Sequence, residues 1–198
     1  MTNNRSDARR RRLSILDAAI ALLNAPTDPS LEAIAAAAGV TRQTVYAHFP
    51  SRDVLLAAVL ERVTGEAMAE LDTVDLDAGP ATDALLRLLD ASARVAAQHR
   101  LLFQRTAAVP VTPQEDLERH QPVTARLVRV IARGQRDGEF DDRLPADWLA
   151  TLTIRIGHAA GEEADAGRMS RARADAVLRV SLLRMLGVPE ADDPAQTA

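Results

Sequence analysis

The stretch GVTRQTVYAHFPSRDVLLAAV, residues 39–59, decides how this chain is read. It places Tyr46 and Phe49 together in a chain with one tyrosine and three phenylalanines, beside Thr41, Arg42, Gln43, Thr44 and His48. Gly39 suits a turn, because a residue without a β-carbon enters the left-handed region freely. Thr41 is an N-cap for a short helix to about Phe49. Pro50 and Ser51 then restart the chain into a long helix carrying Val54, Leu55, Val59, Leu60 and Val63. Val40 and Val45 face a core, while Thr41 to Thr44 form a polar row opposite it.

Upstream, Leu13, Leu16, Ile20 and Leu23 fall at helix spacing, and the two prolines of NAPTDPS (residues 24–30) stop that helix. Ser30 caps a short helix with Leu31, Ile34 and an alanine run ending at Gly39. Downstream, the acidic DTVDLDAGPATD (residues 72–83) reads as a joint. Leu85, Leu88, Leu89, Ala93 and Ala96 mark a further helix, and RLLFQRTAAVP (residues 100–110) is a short apolar piece. A helix follows to about Arg136, which Pro122 either starts or kinks. After the loop RDGEFDDRLP come two closing helices, about 145–161 and 170–186. With no strand hairpin and no repeat, the fold class is all-α. Residues 1–62 form a small N-terminal unit whose fourth helix runs on to about 71. Residues 72–188 form a larger helical one, and 189–198 a disordered tail.

Composition narrows the function. The 198 residues are 47% hydrophobic and 26% charged, the balance of a globular protein. Without cysteine there is no disulfide, thiolate metal site or cysteine nucleophile, which suits a cytoplasmic protein. No signal-peptide h-region is present, and no apolar run reaches the ~20 residues that cross a bilayer, so no membrane partner is expected. The net charge is −4, yet residues 1–62 hold eight arginines against six acids, and every basic residue of the chain other than histidine is arginine. Four of those arginines are consecutive, Arg9, Arg10, Arg11 and Arg12. A basic end on an acidic body suits contact with phosphate at one end only.

Two short helices joined through Gly39 and preceded by a third have the layout of a helix-turn-helix. On its polar face arginine can fork onto guanine, glutamine can pair with adenine, and threonine offers a methyl and a hydroxyl. Tyr46 and His48 can donate to phosphates, and Phe49 anchors the helix in the core. ILDAAIALL followed by SLEAIAAAAGVTRQTVYAHFPSRDVLLAAV resembles the N-terminal domain of the TetR family of transcriptional regulators. The resemblance rests on Ile34-Ala35, the Ala38–Val40 turn, Thr41, the pair Tyr46 and Phe49, and Ser51-Arg52-Asp53 with Leu55. Two departures stand out: NAPTDPS where the family has a glycine beside a hydrophobic or aromatic residue, and Arg52 where lysine is common.

The resemblance implies a homodimer that reads a palindromic double-stranded DNA operator. Ser30, Thr41, Tyr46, His48 and Arg52 would hold phosphates, and Arg42, Gln43 and Thr44 would read bases. Arg9 to Arg12 would neutralise phosphate or reach a groove. It also implies a C-terminal domain for a small-molecule effector, with His99, Leu102, Phe103, Arg105, Thr106, Leu127, Ile131 and Trp148 as candidate lining. Arg105, with His99 or His120, could meet a carboxylate, while Phe103 and Trp148 read more readily as plain core than as pocket. The last two helices are apolar over more than one stripe of ~100°, so they are either central to their domain or buried against a second subunit. The resemblance favours the second, through Leu152, Ile156, Ala160, Leu178, Leu182 and Met185. No nucleotide-binding, hydrolase or metalloprotease motif is present, so neither enzyme activity nor a cofactor is expected. The alternative is a helical small-molecule or metal-binding protein without DNA function, using His99, His120, His158, Glu162 and Glu163.

Overall fold

The structure, a computed structural model, describes the backbone of residues 2–107 and 112–188, with the side chains of 6–105, 112 and 120–188. Among these residues all regular structure is helical. The order is α1 (Thr2–Leu23), α2 (Leu31–Ala37), α3 (Arg42–His48), α4 (Arg52–Leu71), α5 (Ala81–Gln98), α6 (Arg100–Ala107), α7 (Pro113–Arg136), α8 (Ala146–Asp165) and α9 (Arg171–Met185). The tail 189–198, read above as disordered, lies outside the described residues. Helix α1 starts well before Leu13, because no helix breaker separates Thr2 from Leu23 and arginine favours helix. The cluster Arg9–Arg12 is therefore helical. Pro122 lies inside α7 rather than at its start.

The backbone groups into two compact units. The first takes Met1–Leu71 with Ala91–Thr112, the second Asp72–Asp90 with Pro113–Ala198. Residues 91–112, including α6, thus group with the N-terminal helices, and α5 contributes to both units.

The first unit has one continuous core: Ile15, Leu16, Ala19 and Leu23 of α1, Ile34 and Ala35 of α2, Val45 of α3, Phe49, then Leu55, Val59 and Val63 of α4. Leu102 of α6 is buried in the same cluster, and Phe103 packs against it. The α2–α3 turn closes locally. Gly39 sits at φ +67°. Its amide donates to Ala36 O at 3.1 Å, and the Val40 amide donates to Ala35 O at 3.0 Å. That is the double bond of a Schellman ending. A β-carbon at Gly39 would meet nothing within 4 Å, so the glycine serves the backbone angle and not space.

In the second unit α7 packs on α8 and α8 on α9. Leu127, Val130, Ile131, Leu149, Ala150, Leu182 and Leu186 are buried there. Phe140 folds back over Gly134 so closely that a β-carbon would lie 2.2 Å from the ring. Glu139 on the same loop accepts from the amides of Ala81 and Thr82, at 2.8 and 3.1 Å, and so caps the start of α5.

Candidate nucleic-acid interface

Two caps fix the short helices. The Ser30 hydroxyl accepts from the Ala33 amide at 3.1 Å, and the Thr41 hydroxyl accepts from the Thr44 amide at the same distance. The hydroxyls of Thr41 and Thr44 are also 2.9 Å apart. With Val45 and Phe49 buried beneath α3, the helix has one way to sit, and Thr41, Arg42, Gln43 and Tyr46 are left exposed. Thr44 and His48 are half-buried, and Ser30 is exposed. The two aromatics of the opening stretch separate: Phe49 is 2% exposed, Tyr46 38%.

Arg42 is not loose on this surface. It forms an ion pair with Glu32 of α2, donates to the Tyr46 hydroxyl at 3.2 Å, and lies 5.4 Å from the centre of the Tyr46 ring. The hydrogen bond to Tyr46 and then the Glu32 charge hold its guanidinium above the usual arginine range. The Glu32 carboxyl is held below its usual range, first by its own backbone amide and further by Arg42. Both groups are therefore charged across the physiological range.

Of the arginine cluster, Arg9 to Arg12 are all exposed. Arg10 lies 3.7 Å from Asp7, and the Arg12 guanidinium sits 5.1 Å from the centre of the Phe49 ring. Arg12 thus ties the first helix to the end of α3, by a cation–π contact on a ring otherwise buried.

The loop 24–29 leads into α2 and is held by two more arginines. Arg52 donates to Pro29 O and to the Asp28 carboxylate, both at 2.7 Å. Arg105 of α6 donates to Leu23 O, to Ala25 O at 2.9 Å and to Pro26 O at 3.1 Å. A cation on the last carbonyls of α1 satisfies acceptors that the helix itself leaves open. Arg105 is therefore engaged by these carbonyls and, at 3.7 Å, by the Asp28 carboxylate. Beside it the buried His99 ring places Nδ1 3.1 Å from the Asn24 amide nitrogen and sets its edge on Phe103.

The remaining candidates divide between the units. His99, Leu102, Phe103 and Arg105 belong to the first, Leu127, Ile131 and Trp148 to the second. The side chain of Thr106 lies outside the described residues. Leu127 and Ile131 are buried, whereas Trp148 is 51% exposed. On α8 and α9, Leu152, Ile156, Ala160, Leu178 and Met185 are half-buried. Leu182 is fully buried in its own unit, which leaves it no surface to offer a second subunit. His120 and His158 meet edge-on at 5.0 Å between ring centres, and His99 belongs to the other unit. Among the described residues no three histidines or acids are placed to hold a metal, and no helix is long and apolar enough to cross a membrane.

Glu32 and the backbone role of Arg105 escaped the reading of the sequence. An acid in the first turn of a helix looks like an ordinary dipole partner. Nothing in RLLFQRTAAVP signals carbonyls some eighty residues earlier in the chain.

Comparison with known proteins agrees with this arrangement. Residues 15–59 match the family model of bacterial regulatory proteins, tetR family. Over 86 residues, 43% of the chain, it is 41% identical to the HTH-type transcriptional repressor LfrR of Mycolicibacterium smegmatis. The aligned part is 46% of that relative, so the match spans about half its length. The solved structure of the TetR-like transcriptional regulator LfrR from Mycobacterium smegmatis, in complex with proflavine, is similar at 25% identity and a TM-score of 0.60. That likeness covers 92% of this chain and 99% of that one. SmeT, the repressor of the Stenotrophomonas maltophilia multidrug efflux pump SmeDEF, shares the fold at 23% identity and a TM-score of 0.67, over 88% of this chain and 89% of that one.

Proposed function

We propose that this chain is a TetR-family regulatory protein and acts as a ligand-responsive transcriptional repressor. It binds a palindromic operator as a homodimer in the cytoplasm and releases it when a small molecule is bound. The observation that carries the reading is the exposed row Thr41, Arg42, Gln43 and Tyr46 on a helix pinned from below by Val45 and Phe49. These side chains can meet base edges and phosphates without any rearrangement of the core. Arg42, Gln43 and Thr44 read bases. Ser30, Thr41, Tyr46 and His48 meet phosphate, and Arg9, Arg10 and Arg11 supply charge along α1. Arg12 and Arg52 act more by holding α1, α2 and α3 in register, since both are engaged within the protein.

Dimerisation is assigned to α8 and α9 through Leu152, Ile156, Ala160, Leu178 and Met185, with Val177 and Val180 added because both stand exposed. The effector site is assigned to the second unit near Leu127, Ile131 and Trp148. The LfrR neighbour was solved with proflavine, a flat aromatic cation, and an exposed tryptophan is a fitting partner for such a ring. A 100-fold loss of operator affinity requires about 2.7 kcal/mol of differential ligand binding.

The test is a DNA selection with the purified full chain at fixed salt, then anisotropy on the enriched duplex and a scrambled duplex. Two half-sites ~34 Å apart, bound ~10³-fold or more tighter than the scrambled control, are expected. Arg42→Ala should cost ~1–3 kcal/mol on the enriched duplex and relax the preference at one base pair of each half-site. Weak and equal binding to both duplexes would overturn the reading.

A further inference from the structure

We infer that Glu32 restrains the affinity of this surface for its operator, by holding Arg42 against Tyr46 until a base edge with two acceptors displaces it. The inference rests on the base-reading role proposed for Arg42.

Between Leu31 and Phe49 the sequence contains one acid and one arginine, Glu32 and Arg42, and they are paired with each other. Three contacts fix the guanidinium: the Glu32 carboxylate, the Tyr46 hydroxyl at 3.2 Å and the Tyr46 ring at 5.4 Å. The pair bridges two helices, α2 and α3, so it is no accident of neighbouring positions on one helix. Together the two charges cancel. Arg42 then adds little to the sequence-blind attraction that phosphates exert on free cations. If Arg42 swings to a phosphate, it leaves a bare carboxylate facing a polyanion. If it swings to a guanine, the N7 and O6 acceptors offer a bidentate replacement for what it gives up. Either move costs the same ion pair, so Glu32 lowers the affinity of an operator, where Arg42 must leave it, and spares other DNA, where Arg42 stays on it.

The test uses Glu32→Gln, Arg42→Ala and the double variant in the full chain, on the duplex enriched by selection with the wild-type protein and on its scrambled control. Glu32→Gln is expected to tighten binding to the enriched duplex ~2–5-fold, the worth of an exposed ion pair that no longer has to be broken. Scrambled DNA should gain less, with a salt slope steeper by up to about 0.9 where the freed arginine meets phosphate. In the Arg42→Ala background Glu32→Gln should leave the ratio between the two duplexes unchanged. An equal gain on both duplexes, or the same rise in discrimination without Arg42, would assign Glu32 to simple charge repulsion or to its own base contact and overturn the inference. So would a lower melting temperature with an unchanged ratio, the signature of a carboxylate that only steadies the start of α2. If Arg42→Ala by itself leaves the ratio unchanged, or if selection enriches no duplex, the base-reading role fails first and the inference falls with it.

Discussion

The helix pairs α2–α3 and α8–α9 solve the same packing problem in opposite ways. Each of the first two helices has seven residues, too short to be stable alone. They persist because every loose end is tied nearby: a hydroxyl cap at each start, a glycine-terminated end on α2, and Ile34, Ala35, Val45 and Phe49 in one core. The second pair has 20 and 15 residues, yet α9 buries only Ala174 and Leu182. Val177 and Val180 remain 42% and 46% exposed, with Leu152, Ile156, Leu178 and Met185 half-covered. The short pair is finished within one chain. The long pair carries apolar surface that its own unit does not cover, the condition that the proposed second copy would relieve.

Truncating the anchor is the strongest way to break this contrast. Phe49→Ala removes a buried ring that also carries Arg12, and should cost ~3–5 kcal/mol in urea unfolding followed by circular dichroism. A loss under ~1 kcal/mol would mean that the short pair does not depend on its core anchor. Next comes the double variant Val177→Asp with Val180→Asp. Sedimentation should show dimer dissociation rising ~100-fold, about 2.7 kcal/mol, while unfolding of the dilute monomer stays within ~0.5 kcal/mol. Destabilisation of the monomer itself would show that α9 is core on that side as well.

The smallest expected effect sharpens the comparison at the level of caps. Ser30→Ala removes a cap supplied from within the short pair, and Glu139→Gln weakens one supplied to α5 from 58 residues away. Each should cost ~1 kcal/mol at neutral pH. They differ in pH dependence. The Glu139 carboxyl is held below its usual range, first by the Ala81 amide, so its contribution is complete above the unfolded value of 4.5 and is lost as pH falls through the lower folded value. Thermal melts from pH 7 to pH 3 should therefore bring Glu139→Gln and the wild type together at the acid end. The Ser30→Ala deficit should stay constant.

Much of the fold can be read from the sequence because it is written in short-range terms. Apolar spacing in α1, hydroxyls at positions 30 and 41, a glycine at 39 and the segregation of Tyr46 from Phe49 all concern residues within a few positions of one another. Helix geometry alone then decides which faces inward. The polar row from Thr41 to Thr44 is legible for the same reason. Other features depend on where distant backbones come to rest. Leu102 looks like any apolar residue of a short helix, yet it lies in the N-terminal core. Arg105 looks like a ligand cation, yet it satisfies carbonyls at the end of α1. Glu139 reads as loop polarity and caps α5, and Glu32 reads as a dipole partner and holds Arg42. Periodicity encodes which face of a helix is apolar and where it ends. A long side chain with several donors or acceptors takes its partners from whatever the tertiary structure brings within reach, and only the assembled chain decides that.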